Sequence, residues 1–441
     1  MRWIDRRPPW NATAVRRRYV QPVAARRRRR LAVGAGALVA LAGIGVGAYL
    51  GIDSLSGDEE PPAPAPGIVV REGPPAGTED LGFPAFATKN TTRVAGVDPV
   101  ADAAGVALAV FPSTGGVKRP AAVSLVEDRD WTGGLAAASL VAQPIRAPIL
   151  ITGKDETPEL TLDALQALAP SGSAKTQQKQ MFTIGEATAP RGVSTQAVTG
   201  SNPAEIAAEV DQLRERLTDT RPRHILLASS EEPAFSMPAA AWAARSGDPV
   251  LFLRKHVVPD PTLDALRRHR GTPVYVLGPP SVISAKTLEA VRKLAPNTSR
   301  VGRPGPVENA IAFARYASGS FGWDINDPGH GLVVARVSRP LDAAAATPLS
   351  ASGTWGPLLV TDDAARVPSA LQGYLLDIKP GYLGDPTRAV YNHVWLIGDQ
   401  DAISVDFQSQ VDDLAEVVPI RSGRGNQLGP LPGTPEHEQK P

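Results

Sequence analysis

The sequence predicts an α/β protein in which about one hundred residues form an open parallel-sheet unit that occurs three times in tandem. One observation is a short apolar run that begins with proline and recurs at 148–152, 249–253 and 357–361, with spacings of 101 and 108 residues. A second is Thr161-Leu-Asp-Ala-Leu165, which recurs in the same register as Thr262-Leu-Asp-Ala-Leu266. Two segments that share one period indicate a repeat.

Three further features define the elements of each repeat. Apolar runs precede the proline-started ones at 121–126, 224–228 and 331–337, and others end in glycine at 181–185, 274–278 and 394–398. Such runs do not alternate with polar residues, which predicts parallel strands covered by helices on both faces. The clearest helix begins at Asn202, where Pro203 fits the first helical position and Glu205 completes a capping box. We therefore place the repeats at 93–195, 196–299 and 300–420.

The region before the repeats predicts a membrane anchor. Residues 1–30 hold eleven arginines and one acidic residue, and residues 31–52 carry no charge. At 1.5 Å per residue, this segment is long enough to cross a hydrocarbon core of about 30 Å as a helix. Arginine-rich flanks stay in the cytoplasm, so we expect a single-pass membrane protein with residues 1–30 as a cytoplasmic tail and an extracytoplasmic C-terminal part. A cleaved signal peptide is the alternative, but its apolar region would be shorter.

Two segments are predicted to lack a fold of their own, and the composition excludes several classes of site. Residues 53–92 form a proline-rich linker, and the polar, Gly- and Pro-rich residues 421–441 form a disordered tail. The chain has no cysteine, which excludes disulfides, thiolate zinc sites and thiol nucleophiles. The residues after position 30 hold more acidic than basic side chains, so we expect no nucleic-acid partner.

The repeats resemble a known family. Arg93-Val-Ala-Gly96 precedes an alanine-rich segment. Residues 121–152 then give a strand, an Ala-rich helix and a Pro-Ile-Leu-Ile-Thr strand. Residues 274–278 and 394–398 each read as a Val-x-x-(Leu/Ile)-Gly strand. In these respects the chain resembles the cell-wall-binding repeat 2 family, over about 330 residues. The resemblance implies three α/β repeats packed as a pseudo-threefold trimer that bind an anionic cell-wall polymer non-covalently.

The family's anchoring run is an Ile-Leu-Leu sequence in each repeat. The matching residues here are Ile149, Leu150, Ile151, Val250, Leu251, Phe252, Leu358, Leu359 and Val360. Their pattern alone favours a buried core strand, in which case they serve binding only by holding the fold. The family's repeats begin a helix with Asn-Phe-Pro-Asp-Ala-Leu, which contains an aspartate. In this chain only the third repeat keeps that aspartate, as Asp342.

A ligand is expected beyond the carboxyl ends of the parallel strands, where loops and helix N-termini converge. The charged candidates at these ends, which could meet phosphate or carboxylate groups, are Arg129, Arg254, Lys255, Arg336 and Arg339, together with Asp342. Ordinary solvated loop charges are the alternative interpretation.

The sequence contains no pattern that predicts catalysis. The six histidines are scattered, without a His-x-x-x-His pair, and no Gly-x-Ser-x-Gly elbow, phosphate loop or dinucleotide fingerprint occurs. We therefore expect a non-enzyme without metal or cofactor that links the membrane to the wall. The alternative is an extracytoplasmic sensor or assembly factor whose repeats bind a protein or a small ligand.

Overall fold

The computed structural model describes residues 84–111, 119–352 and 356–420, all within one compact unit. The predicted cytoplasmic tail (1–30), transmembrane segment (31–52), linker up to residue 83 and C-terminal tail (421–441) lie outside these ranges. Within the described residues, no helix combines the length and the apolar character needed to cross a bilayer. The predicted α/β class, with parallel sheets in repeated units, is confirmed.

The strands of the described residues are short, and six of them are buried along their whole length. In chain order they are β1 Pro84–Ala87, β2 Thr91–Val94, β3 Val123–Glu127, β4 Ile149–Thr152, β5 Met181–Ile184, β6 Thr195–Val198, β7 Ile225–Ser229, β8 Val250–Leu253, β9 Val274–Leu277, β10 Thr298–Val301, β11 Gly331–Arg336, β12 Leu358–Thr361, β13 Gly381–Tyr382, β14 His393–Ile397 and β15 Val418–Pro419.

Helices alternate with these strands. In chain order they are α1 Pro99–Val110, α2 Trp131–Val141, α3 Glu159–Leu168, α4 Pro203–Thr218, α5 Pro233–Ser236, α6 Pro238–Ser246, α7 Asp260–Arg268, α8 Ala285–Leu294, α9 Pro306–Arg315, α10 Leu341–Ala345, α11 Thr347–Ala351, α12 Ser369–Asp377 and α13 Val405–Ala415. Helix α4 begins where the sequence predicts, since Asn202 accepts hydrogen bonds from the N–H groups of Ala204 and Glu205. Glu205 bonds the N–H of Ser201 rather than that of Asn202.

Three sheets repeat one strand order. Sheet 1 is β4-β3-β5-β6, sheet 2 is β8-β7-β9-β10, and sheet 3 is β12-β11-β14-β2-β1. All neighbours are parallel except the antiparallel pair β1 and β2. In each sheet the proline-started strand (β4, β8 or β12) occupies one edge. This order requires right-handed crossovers through the intervening helices.

The fourth strand of each sheet was not predicted from the sequence, and in sheet 3 it comes from the start of the chain. Sheet 1 ends in β6 and sheet 2 in β10, whereas sheet 3 is completed by β2. Part of the segment predicted as linker, 84–92, is therefore sheet rather than spacer. The reason is pairing with β14, supported by Asp412, which accepts from the N–H of Asn90 at 2.8 Å. Strands β1 and β2, the first two in the chain, thus complete the sheet of the last repeat.

Helices of small residues lie between the sheets. Helix α2 packs on α6 and α10, and α6 also packs on α10 and α11. Residues 132–141 of α2 are buried on all sides, which indicates an internal helix. A Cβ added at Gly134 of α2 would lie 2.8 Å from the Cβ of Ala344 in α10. Such contacts need glycine and alanine, which explains the alanine-rich composition of these helices.

Candidate functional site

The nine residues matched to the anchoring run lie in the edge strands β4, β8 and β12 and are at most 1% exposed. Helix α1 packs over β4, α4 over β8 and α9 over β12. These side chains therefore offer no surface to a polymer, and their contribution is to the packing that holds each sheet. Burying a side chain of this size contributes roughly 1.5–3 kcal/mol to stability.

The predicted loop residues of sheets 1 and 2 are spread over separate environments. The Arg129 side chain is 89% exposed, with Asp128 at 3.8 Å. Glu231 accepts from the Arg254 side chain at 2.7 Å and from the Lys255 backbone N–H at 2.8 Å. These two bonds lower the pKa of Glu231. The Arg254 charge is thus compensated locally rather than presented to a ligand.

The predicted residues of sheet 3 form a closed ionic cluster. Arg339 is 16% exposed and pairs with Asp102 of α1, with Asp342 at 2.8 Å and with Asp399 at 3.9 Å. Burial raises the pKa of Asp342 to about 7, against the opposing effect of the Arg339 charge. Burial and the Asp342 charge raise the pKa of Asp102. This cluster joins α1 to α10, and its charges are used inside the protein.

Arg336, the remaining candidate, also bonds within the protein. Its guanidinium donates to the carbonyl oxygens of Asp401 and Ala402 at 3.3 and 3.4 Å. The structure therefore does not gather the predicted loop residues into one basic surface. Among the described residues, no group of three or more His, Asp or Glu side chains could hold a metal ion.

A cavity of about 750 Å³, here called the junction pocket, lies at the opposite ends of the strands. It is formed at the amino ends of β7 and β8, where residues 220–224 and 245–248 meet the loop that precedes β11, residues 316–330. This volume is in the range typical of ligand sites. None of the predicted loop residues lines it.

Arginine dominates the wall of the junction pocket. Its charged side chains are Arg214, Arg221, Arg223, Arg245, Asp211, Glu215 and Asp248, with His224 and His330. Arg214 donates to the carbonyl oxygens of Ser139 and Gln143, and burial lowers its pKa to about 10, so it stays charged at neutral pH.

Among the acidic groups of the pocket, Asp211 is neutralised from outside it and Glu215 lies 4.0 Å from Arg221, so the four arginines leave the mouth basic. Asp211 accepts from Arg268 at 2.6 Å and from His269 at 2.7 Å. Arg221 and Arg223 are exposed, and the Arg245 guanidinium lies 5.6 Å from the ring centroid of Trp323. Guanidinium groups around a cavity favour phosphate or carboxylate ligands.

The junction pocket lies at the amino ends of β7 and β8, whereas ligands of open parallel sheets are expected beyond the carboxyl ends, so the sequence did not predict it. A signal was present, since Arg214, Arg216, Arg221 and Arg223 lie within ten residues just before β7. The contribution of the 316–330 loop could not be read from sequence, because it reaches sheet 2 from the following repeat.

Comparisons with known proteins identify the fold. No protein-family model matches the chain, and no curated protein matches its sequence. Two solved structures share its architecture: Cwp6 from Clostridium difficile (18% identity, TM-score 0.58) and Cwp8 from the same organism (19% identity, TM-score 0.58). Each likeness covers 74% of this chain, and it spans about half of the other protein, 48% of Cwp6 and 52% of Cwp8. The chain is therefore similar in fold to these two proteins.

Proposed function

We propose that this chain binds an anionic cell-wall polymer non-covalently through the junction pocket and, anchored by residues 31–52, links the membrane to the wall. The observation that carries the proposal is the basic mouth of the pocket. Arg221 and Arg223 are exposed there, while Asp211 is already paired. Support for the wall as the location comes from the fold, because Cwp6 and Cwp8 are cell wall proteins.

The nine buried strand residues act indirectly in this proposal. Val250, Leu251 and Phe252 keep β8 in register with β7, and the amino ends of these two strands form the pocket. The other six hold sheets 1 and 3 in the same way. Substituting them would impair binding by unfolding the repeat, without any direct contact to the polymer.

The first test is sedimentation of the purified full-length chain, in detergent, with wall sacculi before and after chemical removal of their anionic polymers. We expect binding to intact sacculi that is lost with the polymer and weakens as salt is added, because guanidinium–anion contacts are screened. Failure to bind intact sacculi would disprove the proposal.

Two charge-reversal variants locate the surface. Arg223→Glu, at the mouth of the pocket, should weaken binding about tenfold, since each 1.4 kcal/mol is a factor of ten in affinity. Arg129→Glu is the matched control, because this side chain is exposed at the predicted loop of sheet 1. Both variants keep the eleven N-terminal arginines, so the effect of that tail cancels. If only Arg129→Glu weakens binding, the loop is the site and the pocket assignment is wrong.

A further inference from the structure

Three polar side chains in the junction pocket are arranged as a nucleophile, a base and an orienting acid. The Ser320 hydroxyl lies 3.0 Å from Nε2 of His224, and Nδ1 of His224 lies 3.0 Å from Oδ2 of Asp248. All three residues line the cavity. A serine within hydrogen-bond reach of an imidazole that is oriented by a carboxylate is the arrangement that activates a hydroxyl for attack on a carbonyl.

The base and the acid are held by several contacts each. Asp248 also accepts from the His224 backbone N–H at 3.0 Å and from Nε1 of Trp242 at 2.9 Å. Both His224 and Asp248 are buried. With Nδ1–H donated to Asp248, Nε2 carries the free lone pair that faces Ser320. This tautomer is the one that can accept the serine proton.

Ser320 itself is exposed on a tight turn whose position is fixed by aromatic packing. Ser318 and Phe321 exchange backbone hydrogen bonds at 2.8 and 3.1 Å across this turn. The buried Phe321 ring stacks on Tyr275 with centroids 3.5 Å apart and lies edge-on to His224 at 5.4 Å. The turn thus holds the hydroxyl against the imidazole while leaving it open to the cavity.

The fold does not require this polar pair. In each sheet one backbone N–H donates to the carbonyl oxygen of the proline that precedes the edge strand. The pairs are Ser124 with Pro148, Leu226 with Pro249, and Val333 with Pro357, so these positions are equivalent in the three sheets. The positions that hold His224 and Asp248 in sheet 2 therefore hold Ala122 and Ala147 in sheet 1, and Gly331 and Gly356 in sheet 3. A buried His–Asp pair costs desolvation, and the two other sheets form without it.

The surroundings fit the charge that would develop in such a reaction. Within the described ranges, the backbone N–H groups of Ser320 and Gly322 donate to no acceptor, and both residues line the cavity. Unused donors beside a nucleophile are the groups that can stabilise an oxyanion. A side chain at Gly322 would collide with the carbonyl oxygen of Tyr316, and its φ of +103° also favours glycine. The arginines at the mouth favour a substrate with a negative charge near the reacting bond.

We propose that the junction pocket is an esterase site in which Ser320 is the nucleophile, His224 the general base and Asp248 a positioning residue, acting on carboxylic esters that carry a carboxylate or phosphate. Ser320 Oγ bonds to the ester carbonyl carbon as its proton passes to Nε2 of His224. The carbon–oxygen bond to the alcohol breaks, and the alcohol leaves with that proton. Water then attacks the acyl carbon and gives a proton to His224. The bond from that carbon to Ser320 Oγ breaks, His224 passes the proton to Oγ, and the acid leaves.

This inference goes beyond polymer binding and does not depend on it, so its test contains no wall material. The full-length chain in detergent is treated with a fluorophosphonate, which reacts with activated serines, and the labelled residue is located by peptide mass mapping. We expect labelling at Ser320 in the folded chain and at least a hundredfold less after heat unfolding. Ser320→Ala should abolish labelling without changing the melting temperature, because this side chain is exposed.

Ser318→Ala is the matched control in the same turn, and it should label within twofold of the unsubstituted chain. His224→Gln removes the general base but leaves Ser320 accessible, so it distinguishes an activated serine from one that is only exposed. We expect the labelling rate of Ser320 to fall at least a hundredfold in this variant. Absence of label on folded Ser320, or an equal rate in His224→Gln, would overturn the proposal.

The substrate class is tested with two chromogenic esters, 4-nitrophenyl acetate and mono-4-nitrophenyl succinate. We expect kcat/KM to be about tenfold higher for the anionic succinate, and Arg223→Glu to remove that preference. Equal turnover of both esters would disprove the preference for anions.

Discussion

Repeats 2 and 3 each contain a buried acid paired with a basic side chain at the strand ends, but at opposite ends of their sheets. In sheet 2 it is His224 and Asp248 at the amino ends of the strands, and in sheet 3 it is Arg339 and Asp342 at the carboxyl ends. Sheet 1 has alanine at both amino-end positions. The difference teaches that the repeated backbone needs neither group. The pair in sheet 3 joins α1 to α10, whereas the pair in sheet 2 faces the junction pocket.

The largest effect in this comparison is expected from Asp248→Ala. The substitution leaves the His224 N–H, the His224 ring and the Trp242 N–H without their buried acceptor. We expect the free energy of unfolding in urea to fall by about 4 kcal/mol. The double variant His224→Ala with Asp248→Ala reproduces the residues of sheet 1 and should be at least about 1 kcal/mol more stable than the sum of the single variants predicts. Strict additivity would contradict the idea that the pair acts as a unit.

A slightly smaller effect is expected from Gly356→Ala in sheet 3. A Cβ at Gly356 would collide with the carbonyl oxygen of Gly331, so the backbone must shift. We expect a loss of about 3 kcal/mol in urea unfolding, typical of severe overpacking. The matched control is Ala147→Gly at the equivalent position of sheet 1, where the cost should be about 1 kcal/mol. Equal costs at the two positions would show that the sheets do not differ there.

The smallest effect concerns pH and the cluster of sheet 3. Because burial raises the pKa of Asp342 from its usual 3.8 to about 7, the native state binds more protons at this residue than the unfolded state between these values. Its contribution to the free energy of unfolding therefore falls as pH rises from about 4 to about 7. Asp342→Asn should flatten that slope, measured by urea unfolding at several pH values.

A carboxylate with the opposite shift provides the control for this slope. The N–H groups of Ala365 and Arg366 lower the pKa of Asp363, so it stabilises the native state above the usual pKa and less as pH falls below it. Asp363→Asn should therefore change the acid side of the profile and leave the slope between pH 4 and 7 unchanged. An unchanged slope in Asp342→Asn would contradict the assignment.

The repeat, the class of fold and three strands of each sheet could be predicted because they depend on local apolar runs, of which one per sheet is started by Pro148, Pro249 or Pro357. The fourth strands could not, since β2, β6 and β10 carry polar residues in place of an unbroken apolar run. Their partners lie elsewhere in the chain, and pairing rather than local preference makes them strands.

The candidate site was less accessible to sequence reasoning. Arg339 looks like a free loop cation until Asp102, 237 residues earlier, is placed beside it. In the same way, Ser320 and His224 are 96 residues apart and meet only because the loop of one repeat covers the sheet of the previous one. Ion pairing and loop placement of this kind are set by tertiary packing, which the repeat pattern predicts only in outline.

The pairing of β2 with β14 has a consequence for the order of events during synthesis. Thr91 leaves the ribosome early, but its partner Val394 follows roughly 300 residues later. Sheets 1 and 2 can be completed as their own strands emerge, whereas β2 must wait for β11, β12 and β14, the strands of sheet 3 that are made last. The nascent chain therefore holds β1 and β2 without their partner strand β14 for most of its translation. A second chain that is being made nearby carries the same strand, which makes exchange between neighbours the characteristic error of this architecture.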